Sequence, residues 1–247
     1  MQGNATITHT DTAILSVAAV EAPEVVTSAE FDERLMPVYE RLGTQPGLLE
    51  NLAGIKERRW WPEGFTFTDA AVAAGRKALD AAQIAPDQIG LLVDTSVCRD
   101  RLEPSAAVTV HQEHGLPSSF IKFDLANACL GYMNGVQLAG VMIDSGQIDY
   151  ALIVDGEGSR HTQQQTLERL SGEDTTMDDL FLEFATLTLG SGGAAMVLGS
   201  AEKHPEGHRV VGGITRSDTS TPELCIGTID HFRQDTRWLL DAGLVLA

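Results

Sequence analysis

The stretch from Ile89 to Val97 reads IGLLVDTSV, an unbroken apolar run closed by polar turn residues. That is the pattern of a strand covered on both faces. DYALIVDGEGS (149–159) repeats the pattern, and GSGGAAMVLGS (190–200) passes from a glycine-rich turn into a third such strand. SSFIKFDLANA (118–128) predicts a shorter strand, ATITHTDTAILSVAAVEAP (5–23) an opening strand pair, GIKERRWWP a short strand with a basic face, and HRVVGGITRSDTS an outer strand. Between them lie stretches with helical period. SAEFDERLMPVYERLG has Ser28 as cap and Gly43 as stop, and TDAAVAAGRKALDAAQI is capped by Thr68 or Asp69. EPSAAVTVHQEHG runs from Pro104 to Gly115, and a further helix spans about Leu130 to Ser145. HTQQQTLERLSGEDTTMDDLFLEFATLTLG reads as helical pieces in an excursion, and DTRWLLDAGLVLA as an amphipathic helix at the end. Strand and helix alternate with short connections, which predicts an α/β layered domain with a mixed, mostly parallel sheet.

Composition narrows the function classes. With 247 residues and 43% hydrophobic content, a substantial core is available. The formal net charge of −18 repels nucleic acid and anionic membranes, so neither is an expected partner. It also repels an anionic substrate such as a coenzyme A thioester, unless a local basic patch receives it. Arg58, Arg59, Arg99 and Arg101 are candidates, and ordinary surface ion pairing is the alternative. No run approaches the ~20 apolar residues of a membrane span, and no basic, apolar leader opens the chain. Three cysteines without a CxxC spacing suit a reducing cytosol and argue against a zinc site. The expectation is a cytoplasmic protein.

Cys129 stands in DLANACLGYMNG, just before the helix that follows the short strand. Helix N-terminal N–H groups favour a thiolate, and the small residues Ala126, Ala128 and Gly131 leave room around sulfur. The alternative is a buried cysteine acting as a small hydrophobe. Glu103, in CRDRLEPS, is either a base at a strand end or a solvated helix-start acid beside Pro104. GSGGAAM ends in a strand and lacks GxxxxGK[ST], so tight sheet packing is the better reading than a phosphate loop. His111 and His114 are three apart without a third ligand, so no metal site is expected.

Together, GLLVDTSVCRDRLEPSAA, FDLANACLGYMNG, IDYALIVDGE, LTLGSGGAAMVL and GGITRSDT…LCIGTIDHFRQDTRWLL resemble the thiolase-superfamily condensing enzymes of ketoacyl synthase III type. Among these they resemble the OleA-type ketosynthases that join two fatty acyl thioesters head to head in bacterial olefin biosynthesis. The resemblance implies a βαβαβαββ half of a layered αβαβα fold over 1–230, with 231–247 opening a second half. It implies Cys129 as acyl-accepting nucleophile, its backbone N–H in an oxyanion hole, and Glu103 as base reaching across a dimer interface. Gly131 and Met133, close to Cys129, permit an acyl tunnel or simply pack tightly, and with Arg58 and Arg59 they are the candidate substrate-binding residues. The resemblance also implies an acyl-CoA or acyl-carrier-protein thioester as substrate, no cofactor, and as partner a second copy or a chain supplying the other half. The family's catalytic His and Asn are matched by none of the seven histidines or their surroundings. Other expectations consistent with the resemblance are a ketoacyl synthase III that initiates fatty acid or polyketide synthesis, thioester hydrolysis, and a noncatalytic dimerising or acyl-binding subunit.

Overall fold

The computed structural model of the chain describes residues 6–246. Its first elements are β1 (Thr6–Thr8), β2 (Thr12–Glu21), β3 (Glu24–Thr27), α1 (Ser28–Leu42), α2 (Leu48–Ala53), β4 (Glu57–Trp60) and α3 (Phe67–Ala82). Next come β5 (Ile89–Asp94), α4 (Ala106–His114), β6 (Ile121–Asp124), α5 (Gly131–Asp144) and β7 (Tyr150–Glu157). The remainder is α6 (Arg160–Leu170), α7 (Met177–Thr188), β8 (Gly192–Ser200), β9 (His208–Arg209), β10 (Gly212–Ile214), β11 (Cys225–Gly227), β12 (Phe232–Gln234) and α8 (Thr236–Leu246). They gather into two compact units. The first takes the chain up to Glu21, then Glu63–Glu157 and Gly192–Thr215. The second takes Ala22–Pro62, Gly158–Ser191 and the chain from Arg216. No unit boundary falls at residue 230, although a helix does begin shortly after it, at Thr236.

The first unit is built on a six-stranded sheet in the order β6-β5-β7-β8-β2-β9. β5 pairs in parallel with β6 and β7, while β8 runs antiparallel to both β7 and β2, and β9 antiparallel to β2. Hence β2, β5, β6 and β7 share one direction, and the sheet is mixed with most strands parallel. Within this unit the order β2-α3-β5-α4-β6-α5-β7-β8 is the expected βαβαβαββ run.

Side chains alternate across this sheet. Leu92, Leu152 and Val154 face α3 and α4, meeting Ala71, Ala74, Ala78 and Val110. Leu91, Val93, Ala151 and Ile153 face α5, meeting Val136, Ala139 and Ile143. Helices on both faces explain why the strands are apolar at every position. The alanine face of α3 permits close approach: a Cβ at Gly193 would lie 2.6 Å from the carbonyl oxygen of Ala70. Gly193 of GSGGAAM therefore serves sheet–helix packing.

The second unit packs α1, α6 and α7 around Phe31, Leu35, Tyr39, Trp60, Leu167 and Leu180, with the antiparallel pair β3–β4 beside them. Some local expectations are corrected. Thr27, not Ser28, caps α1, and Thr66, not Thr68 or Asp69, caps α3. In each case the residue three places on, Glu30 or Asp69, returns a bond to the cap backbone, completing a capping box. The opening strands do not pair with each other: β1 pairs with β10, and β2 with β8 and β9. Among the described residues no helix is long and apolar enough to cross a membrane.

Candidate active site

The strands β5, β6 and β7 point the same way, so their C-terminal ends share one edge of the sheet, where open α/β sheets bind ligands. The loop after β5 carries Glu103, and the turn after β6 carries Cys129. The first unit thus brings the two sequence-predicted groups to one edge. A cleft of about 480 Å³ lined by Asp87, Gln88, Ser119, Gln147 and Asp149 lies at the opposite strand ends and belongs to neither.

Cys129 is exposed, in a single 3-10 turn (Ala128–Leu130) that runs directly into α5. Exposure removes the reading of a buried small hydrophobe. Ala128, just before it, holds φ at 45°, a left-handed backbone rare for a residue with a Cβ. The turn is fixed from below. Gly131 is buried, and a Cβ there would meet the carbonyl oxygens of Leu125 at 3.0 Å and Thr95 at 3.2 Å. Of the two readings open for Gly131, its contacts are those of tight packing, which seats α5 on the end of β5. Met133 is exposed on α5, in a row with Leu130, Leu138 and Val141. Asn127 donates to Asn134 at 2.6 Å across the same turn.

Glu103 is exposed on the long loop between β5 and α4, beside Leu102, which is 89% exposed. The loop is held by three carboxylates, one of them its own. Glu157 accepts from the backbone N–H groups of Val97 (2.6 Å) and Cys98 (3.1 Å). Asp100 turns back to the N-terminus of α3, accepting from the backbone of Phe67 and Thr68 and from the Thr68 hydroxyl. Asp124 pairs with Arg99 and caps α4 through the N–H groups of Ala106 and Ala107. None of these anchors stands out as a motif. The signal available in the sequence is an acid at or just after the end of each buried strand.

Two further carboxyls lie at this edge. Asp94 is fully buried with Oδ2 unpartnered, and burial pushes its pKa up to about 6. Asp155 is also raised to about 6, first by burial and then by the charge of Glu157. The Thr95 hydroxyl donates within reach of both Asp155 and the Val154 carbonyl, at 3.0 Å each. Burial also raises the pKa of Tyr132, on the first turn of α5.

Each candidate arginine is engaged by another group. Arg58 belongs to the second unit and is 4% exposed; it donates to Ser28 Oγ (2.9 Å) and the Val26 carbonyl and lies over the Phe31 ring at 4.4 Å. It is a core residue because strand alternation turns it inward while Arg59 faces outward beside Glu57. Arg99 is bound to Asp124, and Arg101 to the Thr109 hydroxyl. Among the described residues no group of three or more His, Cys, Asp or Glu is placed to hold a metal ion. His111 meets the Pro117 carbonyl and stacks on Phe120, while burial lowers the pKa of His114 to about 4.

No family model matches the chain. Over 95% of its length it is 46% identical to an acyl-CoA:acyl-CoA alkyltransferase of Xanthomonas campestris, covering 69% of that protein. It is 32% identical to the enzyme of the same name from Shewanella oneidensis, over 92% of this chain and 75% of that one. A crystal structure of a cysteine-to-serine variant of Xanthomonas campestris OleA, with bound lauric acid and lauroyl-CoA, superposes with a TM-score of 0.93 at 44% identity, covering 96% of this chain and 70% of that one. Companion structures vary a glutamate and a histidine of the same protein. That glutamate and cysteine are separated by the same number of positions as Glu103 and Cys129. Fold, spacing and identity agree: the chain belongs to the acyl-CoA:acyl-CoA alkyltransferase (OleA) family of thiolase-like condensing enzymes.

Proposed function

We propose that the chain carries the acyl-accepting site for a head-to-head Claisen condensation of two fatty acyl-CoA molecules. The observation that carries the reading is the exposed Cys129, in a strained turn at the start of α5 and on the same sheet edge as the Glu103 loop. The Cys129 thiolate attacks the thioester carbonyl of the first acyl-CoA. A C–S bond forms to the enzyme, and coenzyme A leaves as its thiolate. The backbone N–H of Cys129 is one donor to the oxyanion. A second acyl-CoA then loses an α-proton to Glu103, and its α-carbon attacks the acyl-cysteine carbonyl. The new C–C bond forms as the C–S bond breaks, which frees Cys129 and leaves a β-keto thioester.

Glu103, exposed beside Leu102, suits a group that works in the site of a second copy. Exposed Leu130 and, on α5, Met133, Leu138 and Val141 equally ask for a covering protein surface. The proposed partners are therefore acyl-CoA and another protein surface, and the proposed setting is the cytoplasm.

The test is intact-protein mass spectrometry after mixing with myristoyl-CoA. One added acyl group, absent in Cys129→Ala, is the expected result. Adduct formation that persists in Cys129→Ala would move the nucleophile elsewhere. Turnover of acyl-CoA without a β-keto product would favour thioester hydrolysis.

A further inference from the structure

Asp124 ends β6, five residues before Cys129, yet its side chain serves the other loop. Oδ2 receives the Arg99 guanidinium and the N–H of Ala106 at 3.0 Å, and Oδ1 receives the N–H of Ala107 at 2.9 Å. Arg99 precedes Glu103 and Ala106 follows it, so a single carboxylate grips the loop on both sides of Glu103. The main chain beside Asp124 is tied inward as well: Leu125 N–H donates to the Asp94 carbonyl at 2.8 Å, and the Leu125 carbonyl is one of the two oxygens against Gly131. The strand end that seats the Cys129 turn is therefore the anchor of the Glu103 loop. Charge-assisted bonds to a guanidinium and to helix N-terminal N–H groups are the strong kind, and the Asp124 side chain is largely shielded from water.

We infer that Asp124, through Arg99 and the start of α4, is a positioning residue that fixes Glu103 for the carbon–carbon bond-forming step while leaving acylation of Cys129 to other groups. The inference rests on the role proposed for Glu103. Small displacements of a reacting group cost large factors in rate. Freeing the loop should therefore impair the step that uses Glu103 and spare the step that does not.

The experiment compares Asp124→Asn and Arg99→Gln with wild type in the intact protein, using myristoyl-CoA as the probe. Three rates are read: acylation of Cys129 by mass, release of β-keto product, and native-state trypsin cleavage after Arg101. We expect acylation to stay within about twofold, product release to fall about tenfold or more, and cleavage to quicken in both variants. Parallel losses of acylation and product release would mean general damage to the site and overturn the inference. Unchanged cleavage and product release would overturn it too, even if Glu103→Gln is impaired. A Glu103→Gln variant that condenses at the wild-type rate would remove the role of Glu103 itself, and the inference with it.

Discussion

Asp94 and Asp124 stand opposite each other in the register of β5 and β6, at the last rung of the ladder, yet their carboxylates do opposite things. Asp124 is engaged by a cation and two backbone donors. Asp94 bonds the N–H of Ser96 through one oxygen and leaves the other buried and unpartnered. Burial therefore favours its neutral form and raises its pKa to about 6.

A pH dependence of stability follows from Asp94. An acid whose pKa is higher folded than unfolded binds more protons in the folded state between the two values. Its contribution is fully present below about pH 4 and is lost as pH rises to about 6. The loss is on the order of 2–3 kcal/mol. Asp155, raised to about 6 as well, acts in the same window. Asp94→Asn should flatten the decline in Tm between pH 4 and 6.5 by its share. Melting curves across that range with a slope equal to wild type would show that Asp94 does not titrate there.

Gly131→Ala places a methyl group against two carbonyl oxygens that belong to backbone and cannot swing aside. The cost expected of such overpacking is about 1–3 kcal/mol, together with a shift of the Cys129 turn. Slower alkylation of Cys129 by iodoacetamide, beside a lower Tm, is the expected pair of results. A variant with normal stability and normal Cys129 reactivity would contradict the seat described for α5.

Arg58 should behave as a core residue. Arg58→Ala removes bonds to Ser28 and Val26 and the contact with Phe31, leaving a space in the second unit. A loss of about 2–4 kcal/mol is expected, with Arg58→Met recovering part of it through packing of its stem. Denaturant titration of the two variants reads this directly; equal stability of Arg58→Ala and wild type would return Arg58 to the surface.

Much of this molecule was legible in the residues. Continuous apolar runs mark strands covered on both faces, and Cys129 and Glu103 fall on loops after two of them because strand ends are where the chain becomes polar. The caps of α1 and α3 were also spelled out, since Thr27 and Glu30, like Thr66 and Asp69, hold the spacing of a capping box; Ser28, Thr68 and Asp69 look equally suited until the reciprocal bond is seen. The inward turn of Arg58 was not legible, because its partners lie on β3 and α1, about thirty residues away in sequence. Nor was the second unit, whose segments are separated by long stretches of the first. Asp124 was hidden for the same reason: its partners come from a loop some twenty residues earlier.

The order in which the strands are made has its own consequence. β2 is made long before both its neighbours in the sheet, β8 and β9. β5, the next sheet strand in sequence, settles on the far side of β7 instead. Until Ser200 has been synthesised, β2 is an apolar strand with two open edges, and closing that gap demands a long loop of chain. Such non-local pairing slows folding and lengthens the exposure of an aggregation-prone segment, so the first strand of this sheet is where a nascent chain most needs a chaperone.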